Sequence, residues 1–225
     1  MVTPGSVSIN YIFIEKPALQ GQVFLFTFDY KLKLTMEGQI HTDKTFEKVV
    51  YPNKDVKNRE FENCTFKNCD FSGSNFAGTR FTDCTFIGCN LAMLKLGHAT
   101  ISNVVFKECK LTGINFSECE DFLFTVYFEN CLLDYASFAK RKMAKTKFIK
   151  CSLKGVDFSN ANLTSALFDN TDMERAVFNY TNLTGADLSS AYSFDIDPEI
   201  NTIKKAKFSQ YGLQGLLMKY SLQIV

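Results

Sequence analysis

The stretch Ala161–Asn162–Leu163–Thr164–Ser165 is one unit of a five-residue repeat that decides the fold. Its central residue, Leu163, recurs in steps of five as a large apolar residue. Downstream of the middle of the chain, these central positions are Phe128, Leu133, Phe138, Met143, Phe148, Leu153, Phe158, Leu163, Phe168, Met173, Phe178, Leu183 and Leu188. Upstream, they are Val56, Phe61, Phe66, Phe71, Phe76, Phe81, Phe86, Leu91, Leu96, Ile101, Phe106, Leu111 and Phe116. Fourteen of the 23 phenylalanines occupy central positions, so the aromatic content is predicted to fill a core.

A period of five fits neither the helical repeat near 3.6 nor the strand repeat of two. A short period kept over so many units is typical of a solenoid, in which each unit buries its apolar side against its neighbours. Two residues before each central position the side chain is usually small, as at Ala161, Ala166 and Ala186. We call this second position the inner position.

The cysteines set the next level of order, because all eight occupy inner positions. Cys64 and Cys84 are 20 residues apart, which is four units and predicts a square turn. Five other cysteines follow the same spacing and are predicted to stack on one face of the coil as a core ladder, namely Cys69, Cys89, Cys109, Cys131 and Cys151. The step from Cys109 to Cys131 is 22, and the central positions shift by two between Phe116 and Phe128. One two-residue insertion near residues 120–126 explains both shifts.

The thiols are predicted to be structural, because cysteine in a narrow core behaves as a small hydrophobic residue. Parallel Cβ directions in stacked units oppose disulfide geometry. Only His41 and His98 could assist a metal site, and neither belongs to the ladder. Disulfides or a metal are the alternatives to free thiols. Free thiols favour a reducing, cytoplasmic location, and we expect no cofactor.

The units Ala161–Asn162–Leu163 and Ala186–Asp187–Leu188 match a known motif, as do Cys69–Asp70–Phe71 and Cys89–Asn90–Leu91 with cysteine in place of alanine. Over roughly residues 56–193 the chain resembles the pentapeptide repeat family. The resemblance implies an all-β fold, a right-handed quadrilateral parallel β-helix. One group in this family consists of topoisomerase-protecting proteins, including quinolone-resistance types. These mimic duplex DNA in shape and charge and dimerise through their carboxy-terminal ends.

Residues 1–36 carry no repeat and are predicted to be an extension of uncertain order, with possible strands at Tyr11–Ile14 and Val23–Phe28. They either cover the open end of the coil as a strand pair or are appended to the domain. Residues 37–55 are predicted to be an amino-terminal cap, with Phe46, Val49, Val50 and Tyr51 over the first turn. No run of 18 apolar residues exists for a membrane span.

Residues 194–225 are predicted to form a carboxy-terminal cap with a short helix. Ser209 could cap that helix, which would reach Tyr220 and precede a terminal strand at Ser221–Val225. Its apolar side gives three candidate contacts for a homodimer, Leu213, Leu216 and Leu217. A simple cap without dimerisation is the alternative.

Two local anomalies interrupt the repeat. The insertion brings acidic residues around Phe122 and Phe124, which makes these aromatics candidate partner contacts or side chains that simply pack on the coil. A basic band follows, and Lys140, Arg141 and Lys142 are its candidate contacts for phosphate or an acidic partner, with a solvated face as the alternative. Arg141 occupies an inner position, where an unpaired charge is very costly. It should therefore swing outward or meet Glu120 or Asp121.

The sequence contains no nucleophile elbow, phosphate-binding glycine loop or metal-binding helix motif, so we expect no enzymatic activity. The leading hypothesis is a non-enzymatic scaffold that binds an unknown protein partner. The alternative is a DNA mimic that protects DNA gyrase or topoisomerase IV. From residue 36 onward the chain has 22 basic and 22 acidic residues, whereas a mimic should be continuously negative. The balanced charge also predicts no direct nucleic-acid binding.

Overall fold

The computed structural model describes residues 38–223, and the extension with its two predicted strands lies outside these residues. The described chain is a parallel β coil of short strands. Most of these strands have one buried central residue. The strands are β1 (Ile40–Thr42), β2 (Thr45–Glu47), β3 (Glu60–Glu62), β4 (Thr65–Lys67), β5 (Arg80–Thr82), β6 (Thr85–Ile87), β7 (Thr100–Ser102), β8 (Val104–Lys107), β9 (Val126–Glu129), β10 (Lys147–Ile149), β11 (Leu167–Asp169), β12 (Asp187–Leu188) and β13 (Lys207–Phe208).

The coil has four faces, and each turn visits them in the same order. Face 1 contains β1, β3, β5 and β7 and resumes with the bridges from Lys142 to Asn162 and onward to Thr202. Face 2 is a nine-stranded sheet of the remaining strands in the order β13-β12-β11-β10-β9-β8-β6-β4-β2. Faces 3 and 4 are held by single bridges such as Asp70 to Asn90 and Asp55 to Asn75. The predicted four-unit turn and parallel β fold are confirmed.

The corners explain why a five-residue unit can turn so sharply. In most units the residue two positions after the central one has a positive φ, as at Asn58, Asn63 and Gly73. Asparagine, aspartate and glycine tolerate this left-handed conformation best. The polar residue just before the central position accepts a hydrogen bond from the backbone N–H two residues later. This bond occurs at Asp70, Asn75, Asn90, Asn115, Asp157, Asn162, Asp172, Asn182 and Asp187.

The core consists of side chains stacked from turn to turn. On face 2, seven phenylalanine rings form one column with centroid separations of 4.5–5.3 Å, namely Phe46, Phe66, Phe86, Phe106, Phe128, Phe148 and Phe168. On face 4, Phe116, Phe138, Phe158 and Phe178 stack at 4.7–5.5 Å. Stacked and edge-to-face rings at these distances add to the stability that burial supplies. The coil interior is therefore filled.

The coil begins earlier than the predicted start at Val56. Residues 40–55 already form a complete turn, in which His41 pairs with Phe61 and Phe46 with Phe66. The repeat was hidden there because lysines occupy two inner positions and His41 and Tyr51 occupy central ones. Phe46 and Val49, expected to lie over the first turn, are part of its core.

The carboxy-terminal segment differs from the predicted single helix. The coil continues through β13, and the following residues form two 3-10 helices, Leu213–Leu216 and Met218–Tyr220. Ser209 accepts a hydrogen bond from the Gly212 backbone N–H at 3.0 Å, as a capping residue would. Residues 221–223 form no strand, and the last two residues lie outside the described part.

Candidate functional site

The insertion, residues 119–125, replaces one regular unit of face 1. It leaves the coil after Glu120, whose N–H donates to the Ala99 carbonyl oxygen at 2.9 Å. It returns at Thr125, whose N–H donates to the Ile101 carbonyl oxygen at 3.2 Å. Both ends are thus fixed to the preceding turn, and residues 121–124 make the excursion between them.

Arg141 anchors this excursion from the following turn. Its guanidinium donates to the Cys119 carbonyl oxygen at 2.7 Å and to the Ser117 carbonyl oxygen at 3.0 Å. The Asp121 carboxylate lies 2.8 Å from Nη2 and neutralises the charge. The side chain is only 6% exposed, so these partners satisfy a charge that would otherwise be strongly destabilising. The prediction that Arg141 meets an acid of the insertion is therefore correct for Asp121.

The other acidic residues in or next to the insertion are also engaged. Glu120 lies 3.0 Å from His98 Nδ1 on the preceding turn, a contact that the sequence did not indicate. Glu118 accepts a hydrogen bond from Asn115 Nδ2 at 2.8 Å. These contacts hold the carboxylates against the coil instead of leaving them free.

The two aromatic residues of the insertion separate. Phe122 is 74% exposed, and its neighbour Leu123 is 58% exposed. Phe124, which we expected beside Phe122 as a partner contact, is buried. Its ring packs edge-to-face on Phe116 at 6.2 Å, and the Arg141 guanidinium lies 5.7 Å from its centroid. Arg141 and Phe124 therefore lie beneath the surface and support it, while Phe122 and Leu123 form it.

Leu123 was not singled out from the sequence, and its backbone shows why. Its φ of 59° is left-handed, a conformation that an apolar residue seldom adopts. Once the insertion breaks the period, no spacing rule says which side chain points outward. We call Phe122 and Leu123 the apolar tip.

Five exposed lysines follow on the next turn, and we call them the lysine turn: Lys140, Lys142, Lys145, Lys147 and Lys150. Lys142 and Lys145 belong to face 1, one turn of the coil beyond the insertion. Lys147 begins β10 on face 2. Lys140, Lys145 and Lys150 occupy three consecutive corners with φ of 51–64°. Lys154, four residues further along the chain, is different because it pairs with Asp172 at 3.1 Å and Glu174 at 3.0 Å.

Charges of both signs alternate along the faces within residues 38–223. On face 2, Lys107 pairs with Glu129 at 3.1 Å, and Lys207 pairs with Asp187 at 3.2 Å. Face 1 carries only neutral residues on the turns of Asn162 and Asn182. None of the described faces is continuously negative.

The cysteine ladder lies inside the coil. Cys69, Cys89, Cys109, Cys131 and Cys151 occupy successive turns, and all eight thiols are buried and unbridged. Burial raises the pKa of the Cys84 and Cys119 thiols to about 12. No group of three His, Cys, Asp or Glu side chains within residues 38–223 is arranged to hold a metal.

The three candidate dimer contacts do not share one environment. Leu213 and Leu217 are exposed, whereas Leu216 packs partly against the core. On the other side of this segment, Lys219 contacts Asp197 at 2.8 Å and Glu199 at 2.6 Å. The Ile196 N–H donates to the Gly215 carbonyl oxygen at 2.9 Å, so the segment is fixed to the coil.

Comparison with known proteins agrees with this geometry. A model of the pentapeptide repeat region matches residues 59–120 and 122–192, and its two segments meet at the insertion. The chain belongs to the pentapeptide repeat family. No curated protein matched it in a sequence comparison.

Solved structures with a similar fold include other pentapeptide repeat proteins. A trypsin-treated form of QnrB1, a plasmid-mediated fluoroquinolone resistance protein, is 20% identical over 83% of this chain and 98% of its own, with a TM-score of 0.48. HetL, a pentapeptide repeat protein involved in heterocyst differentiation regulation in the cyanobacterium Nostoc, is 14% identical over 75% of this chain and 86% of its own, with a TM-score of 0.47. In the part of the chain that the structure describes, no helix is long and apolar enough to cross a membrane.

Proposed function

We propose that this pentapeptide repeat protein is a non-enzymatic scaffold that binds a protein partner through the insertion. The observation that carries the proposal is the apolar tip, two exposed apolar side chains on a base fixed by Arg141 and Phe124. A recognition loop on a rigid scaffold is a common binding arrangement. A base fixed in this way also loses little conformational entropy when a partner covers the tip.

The filled interior supports a surface role. A hollow inside the coil, lined by leucine and phenylalanine side chains including Leu91 and Phe106, measures only about 10 Å³. Small-molecule sites usually span roughly 300–1,000 Å³. A substrate therefore has no room inside this part of the coil.

A photocrosslinking amino acid at position 122 tests the proposal in extracts of the native host. We expect a discrete crosslinked protein at position 122. The matched control is position 184, which lies on the same face three turns onward and should give no such product. Equal products at both positions, or none at 122, would contradict docking at the insertion.

The DNA-mimicking alternative requires a face of continuous negative charge. The described faces carry both signs, and the lysine turn lies one turn beyond the apolar tip, so we propose a partner other than gyrase or topoisomerase IV. A supercoiling assay with DNA gyrase and a fluoroquinolone separates the two hypotheses. We expect no effect of saturating protein on supercoiling or drug sensitivity, whereas protection of gyrase would establish the alternative.

A further inference from the structure

The lysine turn is a concentration of positive charge without compensation inside the chain. Lys140, Lys142, Lys145, Lys147 and Lys150 fall within eleven residues, and none forms an ion pair with another residue between 38 and 223. They lie along one turn of the coil, from the corner that precedes face 1 to the corner that follows β10 on face 2. Like charges this close repel each other, so the turn favours a negative partner.

The neighbouring carboxylates are held elsewhere. On the preceding turn of faces 1 and 2, Glu120 contacts His98, Asp121 contacts Arg141, and Glu129 contacts Lys107. On the following turn, Asp169 accepts hydrogen bonds from Asn170 at 2.8 Å and Ser190 at 2.9 Å. The insertion thus adds acidic residues to the region without neutralising the lysine turn.

Three of the five lysines lie at corners of the coil. Three consecutive corners of this turn carry lysine in the left-handed conformation, which Asn, Asp or Gly adopts at lower cost. All three corner lysines are exposed, so their side chains are available to a partner.

We propose that the partner presents an acidic surface that covers the lysine turn while an apolar pocket takes the apolar tip. Lys142 and Lys145 stand on face 1 one turn beyond Phe122 and Leu123, so both features fit one binding surface. An acidic protein is favoured over nucleic acid because a phosphate backbone offers no apolar pocket for the tip. This inference rests on the proposed protein-binding function and adds the chemistry of the partner.

Binding of a polyglutamate peptide to the full chain tests the electrostatic half. The net charge is only +1, so appreciable binding at low ionic strength requires a local basic surface. Each lysine near an anionic surface contributes roughly 1 kcal/mol to the free energy of binding. The triple variant Lys142→Gln, Lys145→Gln, Lys147→Gln should therefore bind polyglutamate about 100-fold more weakly than wild type. Added salt should weaken wild-type binding.

The matched control replaces three unpaired, dispersed lysines in the same way, Lys95→Gln, Lys110→Gln and Lys204→Gln. It changes the net charge equally and should retain wild-type affinity within about threefold. An equal loss in both triple variants, or no binding by wild type, would overturn the proposal. Tighter lysine-turn binding to single-stranded DNA or phosphatidylserine vesicles than to polyglutamate would overturn the choice of an acidic protein.

Failure of this proposal can be told apart from failure of the proposed function. Phe122→Ser should leave polyglutamate binding unchanged, since it removes no charge. A crosslinked partner at position 122 without polyglutamate binding would support docking at the insertion and contradict an acidic surface on the partner. Polyglutamate binding without a crosslinked partner would reject docking at the insertion and support the lysine turn as a site that binds anions.

Discussion

Arg141 provides the sharpest contrast between the repeat and the structure. Its inner position normally holds a small residue, so the repeat alone predicts that Arg141→Ala stabilises the coil. The structure predicts the opposite, because the guanidinium donates to the Cys119 and Ser117 carbonyl oxygens and pairs with Asp121. Removing it leaves these groups without their partner and frees the insertion.

The magnitude follows from these contacts. A hydrogen bond from a charged group contributes about 1.5–3 kcal/mol, and two such bonds are lost. Relief of the desolvation of the buried charge offsets part of this loss. We therefore expect Arg141→Ala to lower the free energy of unfolding by about 2–4 kcal/mol.

Equilibrium urea unfolding followed by circular dichroism measures this change. Arg141→Lys keeps the charge but lacks the planar guanidinium with its several donors, so it should give an intermediate loss of unfolding free energy. Arg175→Ala is the control, since Arg175 is exposed and its contact with Glu174 is 3.8 Å long, and it should shift stability by less than about 0.5 kcal/mol. An Arg141→Ala variant as stable as wild type would refute the anchoring role.

Three further predictions concern the coil. Burial and the Lys44 ammonium lower the pKa of His41 below its ordinary value of 6.5, so the unfolded chain takes up a proton first as pH falls. Stability should be full above pH 6.5 and decline as pH falls from there toward the folded-state pKa, and His41→Phe should remove this dependence in pH-dependent melting. All eight thiols should resist a thiol reagent in the native protein and react after denaturation in urea, because each is buried; fast native reaction would contradict the ladder. Phe128→Ala should lower the unfolding free energy by about 3–5 kcal/mol, whereas Phe122→Ala should change it by less than about 0.5 kcal/mol, both measured by urea unfolding.

The regular part of the fold could be predicted because its constraint is periodic. Cysteines 20 residues apart indicated the four-unit turn, and a shared shift of two located the insertion. The charge of Arg141 at an inner position required an acidic partner. Only acidic residues of the neighbouring insertion could supply that partner. These inferences used only spacing and the cost of burying a charge.

The remaining features depend on geometry that spacing does not encode. Phe122 and Phe124 are two residues apart, yet one is exposed and the other buried, because the excursion places only Phe124 over Phe116. The first turn was missed because His41 stacks on Phe61 in place of a phenylalanine ring. The engagement of Glu120 by His98 depends on a contact between turns that no local motif indicates.

A repaired coil tests whether the insertion creates the docking surface. Deleting Glu120 and Asp121, with Phe122→Asn and Arg141→Ala, restores the 20-residue spacing between Cys109 and Cys131. The resulting unit reads Cys, Asn, Leu, like Cys89–Asn90–Leu91, and should fold normally by circular dichroism.

The decisive measurement is partner capture by a photocrosslinking amino acid at position 145, in the wild-type and repaired backgrounds. We expect a crosslinked protein in the wild-type background and none in the repaired coil. Equal capture by a folded repaired coil would show that the partner does not need the insertion, and would contradict docking at this site.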